Sequence, residues 1–112
     1  MTQLFVVLTA CPADAADAIA AHLIQGRLAA CVTAVPGALS TYRWHGAVLR
    51  EPETLLLVKV PHTGLDACLA ALAALHPYAV PELIALPAER VNAAYLAWAV
   101  SATSGPPDTA PA

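Results

Sequence analysis

The chain has a single lysine; its five Lys and Arg stand against eight Asp and Glu, for a net charge of −3. A sequence-independent nucleic-acid binder needs a basic stripe, and five scattered cations do not make one. Charge of either sign is scarce, at 12% of residues, and aromatics make up 5%. With 59% apolar residues and a mean hydropathy of +0.64, the composition is the reverse of an intrinsically disordered chain. No uninterrupted apolar run reaches the ~18 residues that a membrane span requires. The opening stretch, residues 1–8 (MTQLFVVL), has no basic region and soon meets Pro12 and Asp14, so it reads as a strand and not as a signal peptide. Three cysteines, at 11, 31 and 68, form an odd set with no C-x-x-C. A disulfide framework is not expected, and a reducing cytoplasm is the default. Metal-protease, dinucleotide, P-loop and nucleophile-elbow spacings are missing too, so nothing in the sequence supports an enzyme.

What remains is patterned. At 112 residues and 11.5 kDa there is room for one domain. Residues 3–9 form a short apolar run rich in β-formers. Ala16, Ile19, Ala20, Leu23 and Ile24 recur at helical spacing, with Pro12 before them and Gly26 at the expected C′ position, predicting a helix over 13–25. Residues 28–42 and 48–60 read as two long strands, kinked at Pro36-Gly37 and joined by a turn at Trp44-His45-Gly46. Thr63 and Asp66 resemble a capping box ahead of Leu65, Leu69, Leu72 and Leu75, and Pro77 ends that helix. A fourth strand over 80–86 and a short helix capped by Asn92 complete the order. The expected fold is α+β: a ferredoxin-like βαββαβ sandwich with a long β2–β3 hairpin and a C-terminal helix. Residues 1–100 would be the single domain and 101–112 a disordered Pro/Ala-rich tail.

The hairpin has a consequence for assembly. Strands of ~13–15 residues span ~45–50 Å, whereas a domain this size has a radius of gyration near ~13 Å. Its outer half carries Leu39, Tyr42, Trp44, Val48 and Leu49, too apolar to stand in water as an open edge. Other copies of the same chain in closed symmetry are the simplest cover, so a homo-oligomer is expected.

Several motifs occur in a familiar order: VVLTACP (6–12), RLAACVTAVPG (27–37), YRWHG (42–46), LLLVK (55–59), HPYAVPELIALP (76–87) and YLAW (95–98). Over about residues 4–100 the chain resembles the CutA-type divalent-cation tolerance family. The resemblance implies a cytoplasmic, non-catalytic homotrimer that binds copper or other divalent cations and contributes to tolerance of them. It also implies copper ligands: a Cys in the loop after the first strand and two adjacent His before Pro-Tyr. Here Thr9 stands at the Cys position with Cys11 two residues on, Leu75 replaces the first His, and His76 matches.

The candidate metal residues are therefore His76, Cys11 and Cys31. His76 at a helix end could equally be a cationic cap favoured by the helix dipole, and neutral imidazole with thiolate is a set that suits copper. Cys11 lies beside a helix start that would lower its pKa, or is simply a half-buried loop Cys, while Cys31 and Cys68 could be small core residues. Lys59, inside an apolar strand, needs a counter-charge, with Glu82, of the same chain or of a neighbouring subunit, as the candidate. Alternatively Lys59, Glu82, Tyr78 and Trp44 would line an inter-subunit cleft for a small anionic metabolite, as in a PII-like sensor. Tyr42, Trp44 and Trp98 also fit as packing anchors of an oligomer.

Overall fold

A computed structural model describes residues 3–108. The order is β1 (Leu4–Cys11), α1 (Ala13–Gln25), β2 (Cys31–Trp44), β3 (Ala47–Pro61), a 3₁₀ turn (His62–Gly64), α2 (Leu65–Leu75), β4 (Ile84–Pro87) and α3 (Ala93–Ala102). The four strands form one antiparallel sheet ordered β2-β3-β1-β4, the arrangement expected of a ferredoxin-like βαββαβ chain.

Period-two alternation splits the sheet into two faces. Val7, Thr9 and Cys11 on β1 stand level with Val58, Leu56 and Thr54 on β3, and all six are buried. With Ile19 and Leu23 of α1 and Cys68 and Leu72 of α2, the apolar members of that set form the main core. On the other face α3 covers one end only, where Ala99 meets Leu4 and Ala30. Elsewhere that face stays open: Val35, Ile84 and Leu86 are each more than 40% exposed.

Helix α1 has the predicted bounds, but its ending differs. Gly26 is right-handed and Arg27 takes the left-handed place, with φ 54°. Leu28 N–H bonds to Leu23 O and Arg27 N–H to Ile24 O, a Schellman motif with arginine at C′. A Cβ on Gly26 would lie 3.1 Å from both His22 O and Leu28 Cδ1, so the glycine serves a close approach. These bonds hold residues 26–30 in a turn and delay β2 to Cys31. Ile24, expected on the buried face, is 40% exposed.

The Pro36-Gly37 kink is a β-bulge: register passes from Val35↔Leu55 to Ala38↔Glu53, with Gly37 at φ 79°. At the tip, His45 (φ 49°) and Gly46 (φ 79°) form the two-residue left-handed turn that suits strand twist. Three boundaries differ from expectation. Thr63 lies in the 3₁₀ turn and makes no cap, because Gly64 is the N-cap of α2. Strand β4 begins at Ile84, since Pro81 offers no N–H to a ladder and Val80 is 72% exposed. The domain also reaches past residue 100: α3 runs to Ala102, and Arg27 binds Ala102 O, Pro106 O and Asp108. Asp108 N–H returns to Gln25 O, so residues 103–108 are tied to α1; the remainder of the expected tail, 109–112, lies outside the described residues.

Candidate functional site

The loop after α2 builds the site. His76 precedes Pro77, whose ring disfavours helical geometry at its predecessor, and it turns extended (φ −70°, ψ 134°). Strand β4 pairs with β1 only over Phe5–Leu8, which leaves the Ala10 carbonyl without a ladder partner on that edge. The His76 ring fills the gap: Nε2–H donates to Ala10 O at 2.9 Å, and Nδ1 accepts from Tyr78 N–H at 3.1 Å. Both ring nitrogens are occupied by backbone partners, Nε2 as donor and Nδ1 as acceptor, so the ring is tied to the chain on both sides. His76 is 7% exposed and acts as a splice between the loop and β1.

The Tyr78 ring lies 4.7 Å from the His76 ring at a tilt of 52° and donates its hydroxyl to Glu53 Oε2 at 2.7 Å. Tyr42 on β2 donates to Glu51 Oε1 at 2.9 Å. The latter is a cross-strand diagonal: Ser40 faces Glu51 and Tyr42 faces Leu49, which puts the tyrosine within reach of position 51. Between the outer hairpin and the 76–82 loop lies a cleft of about 570 Å³, lined by Tyr42, Trp44, Tyr78, Glu51, Glu53 and Glu82 among others. Burial, the bond to Glu53 and the charges of both glutamates push the Tyr78 phenol well above its usual range. The bond to Glu51, then burial and the same charges, raise Tyr42. The electrostatic environment of the cleft is negative.

The expected metal set is not assembled. Cys11 is fully buried on the covered face, its thiol toward Thr54 O at 3.8 Å. Burial, then Glu53 and Asp14, push that thiol up, the opposite of the expected helix-terminus effect, because desolvation and two carboxylates outweigh it. Cys31 lies opposite Lys59 on the open face, about five residues along β3 from the level of Cys11, or roughly 16 Å. Among the described residues no three His, Cys, Asp or Glu side chains come together to hold a metal ion. Cys68 is a core residue, its thiol raised by burial to about 11.

The residues expected at the anion cleft do not all come together within one chain. Glu82, Tyr78 and Trp44 do line one cavity, but Lys59 is elsewhere. Its ammonium donates to Thr33 Oγ1, to Cys31 Sγ at 3.7 Å and to Leu57 O at 3.4 Å. Within one chain the Lys59–Glu82 pair fails on register. Lys59 is level with Val6, whereas Ile84 is already level with Leu8, so Glu82 falls about four residues down the sheet, or roughly 13 Å. The residues that sequence reasoning missed are Glu51 and Glu53. The two-residue turn at His45-Gly46 was the signal that could have placed Glu51 beside Tyr42.

The CutA1 divalent ion tolerance protein family model matches residues 4–102. The chain belongs to the CutA1 family. It is 45% identical over 93 residues to a divalent-cation tolerance protein CutA of Thermus thermophilus, covering 83% of this chain and 90% of that one. The crystal structure of CutA from Xylella fastidiosa superposes with a TM-score of 0.89 at 38% identity, over 92% of this chain and all of that one. CutA1 from Oryza sativa gives 0.87 at 39% identity, over 92% and 95%. This CutA1 chain thus has the family fold, and its relatives' names support a part in metal tolerance.

Proposed function

We propose that the protein is a non-catalytic homotrimer that contributes to divalent-cation tolerance, and that its cation binding, copper included, arises only in the assembly. The observation that carries this reading is the sheet's open face. Val35, Ile84 and Leu86 stand exposed there beside Leu55 and Leu57, an apolar surface of the kind that marks an interface. The accessible surface, 6916 Å², is about a fifth above the ~5,800 Å² expected of a compact monomer of this mass. The radius of gyration, 14.8 Å, likewise exceeds the ~13 Å expected. No group of three metal-binding side chains comes together among the described residues, and in this reading the ligands come from more than one copy. Cys31 is the thiol on the assembling face and the natural soft ligand for copper. Three free cysteines suit a reducing compartment, and we place the protein in the cytoplasm.

The test is a copper competition titration against a chelator, for Cu(I) and Cu(II), with native mass measured alongside. Wild type is expected to bind saturably as a trimer, with binding weakened in Cys31→Ser and lost in Leu57→Glu, which splits the assembly. Undiminished binding by the Leu57→Glu monomer would contradict the reading.

A further inference from the structure

The cleft between hairpin and loop has a chemistry that a metal ion does not explain. Three aromatic rings, Tyr42, Trp44 and Tyr78, share it with three carboxylates, Glu51, Glu53 and Glu82, and no Lys, Arg or His lines it. Glu53 is 8% exposed, and a carboxylate so deeply buried calls for a cation. Its one polar contact among the described residues is the Tyr78 hydroxyl; the salt bridge found among those residues, Arg27–Asp108, is elsewhere.

We propose that this cleft binds an aliphatic polyamine, its ammonium groups on the carboxylates and its methylenes along the aromatic walls. Size, charge and shape each point this way. A volume of about 570 Å³ lies within the ~300–1,000 Å³ range of small-molecule sites. The carboxylates do not converge on one point, since no three acidic, His or Cys groups among the described residues are placed to share an ion. A compact metal ion cannot reach them all, whereas a chain bearing several ammonium groups can. Ammonium over a Trp or Tyr face gains cation–π attraction. The walls are also preset: Glu51 and Glu53 fix the two tyrosine hydroxyls, and His76 backs the Tyr78 ring. Each glutamate keeps one oxygen free of these bonds for an incoming donor.

The test is isothermal titration of the intact protein, in its solution assembly state, with spermidine at low salt; putrescine, tetramethylammonium and Mg²⁺ are comparators. Spermidine is expected to bind saturably, one per chain, and to change Trp44 fluorescence in a Trp98→Phe background. Glu53→Gln should weaken binding at least tenfold, while Asp17→Asn, exposed on α1 and outside the cleft, should change nothing. The side-chain carbonyl that Glu53→Gln leaves in place still accepts the Tyr78 hydroxyl, so the fold should survive. If that variant melts early, Glu51→Gln and Trp44→Ala carry the test, each expected to weaken binding severalfold. The proposal is overturned by any of four results: no spermidine binding, as when a second copy closes the cleft; binding abolished by NaCl at matched ionic strength; Mg²⁺ binding more tightly than spermidine; or indifference to these cleft substitutions.

Discussion

The two faces of the sheet are built from nearly the same residues and meet opposite fates. On the covered face Val7, Leu56, Val58 and Val60 are at 0% exposure under α1 and α2. On the other, Val35, Ile84 and Leu86 remain more than 40% exposed, with Leu55 and Leu57 half-buried between them. Composition does not separate the faces; the helices do. Two helices close the centre of one side, whereas α3 reaches only the Leu4 end of the other. The open face therefore holds apolar area that folding alone has not removed from water, the part of the molecule available for association.

Breaking this comparison begins with its largest effect. Leu57→Glu puts a carboxylate into the open face without touching the core, and sedimentation should show complete dissociation to a folded monomer. Leu72→Ala does the reverse. It hollows the covered face and should cost about 2–5 kcal/mol in denaturant unfolding while leaving the subunit contacts in place. Arg27→Ala removes the clip on residues 102–108 and should cost about 1 kcal/mol, readable as faster hydrogen exchange at the end of α3. Thr9 sharpens the contrast from within the core. Its hydroxyl is the one buried side-chain polar atom without a partner among the described residues, so Thr9→Val should stabilise the protein by about 1 kcal/mol.

The covered face also predicts a pH response. Cys68 rises from 9.0 to about 11 on burial, and Cys11 is raised as well. Both thiols are favoured neutral in the fold. Their contribution is thus fully present below the unfolded value near 9 and is lost as pH climbs through the folded value. The denaturation midpoint should hold up to about pH 9 and fall toward pH 11, with a smaller fall in Cys68→Ala.

Much of this was legible in the sequence because local rules and the fold agree. Helix α1, the bulge at Pro36-Gly37 and the turn at His45-Gly46 follow from spacing, proline and glycine. The failures share a cause, which is that strand register decides which residues meet. Lys59 and Glu82 look like a pair in sequence, and within one chain a four-residue offset along the sheet separates them. Cys11 looks like a helix-terminus thiol, and the alternation of β1 turns it inward instead. His76 looks like a ligand, and the shortness of β4 leaves it a carbonyl to satisfy. The acidic character of the cleft escaped because Glu51 and Glu53 sit on a strand that reads as apolar and meet Tyr42 and Tyr78 only through cross-strand geometry and the loop after α2.

The central claim is that the open face is the assembly surface, and sedimentation equilibrium of the wild type beside Leu57→Glu tests it most directly. From a chain of 11.5 kDa, a wild-type mass near three chains and a variant mass near one, with the variant's secondary structure retained, is the predicted result. A wild type that stays at one chain's mass across the concentration range, or a Leu57→Glu variant that still runs as a trimer, would contradict it.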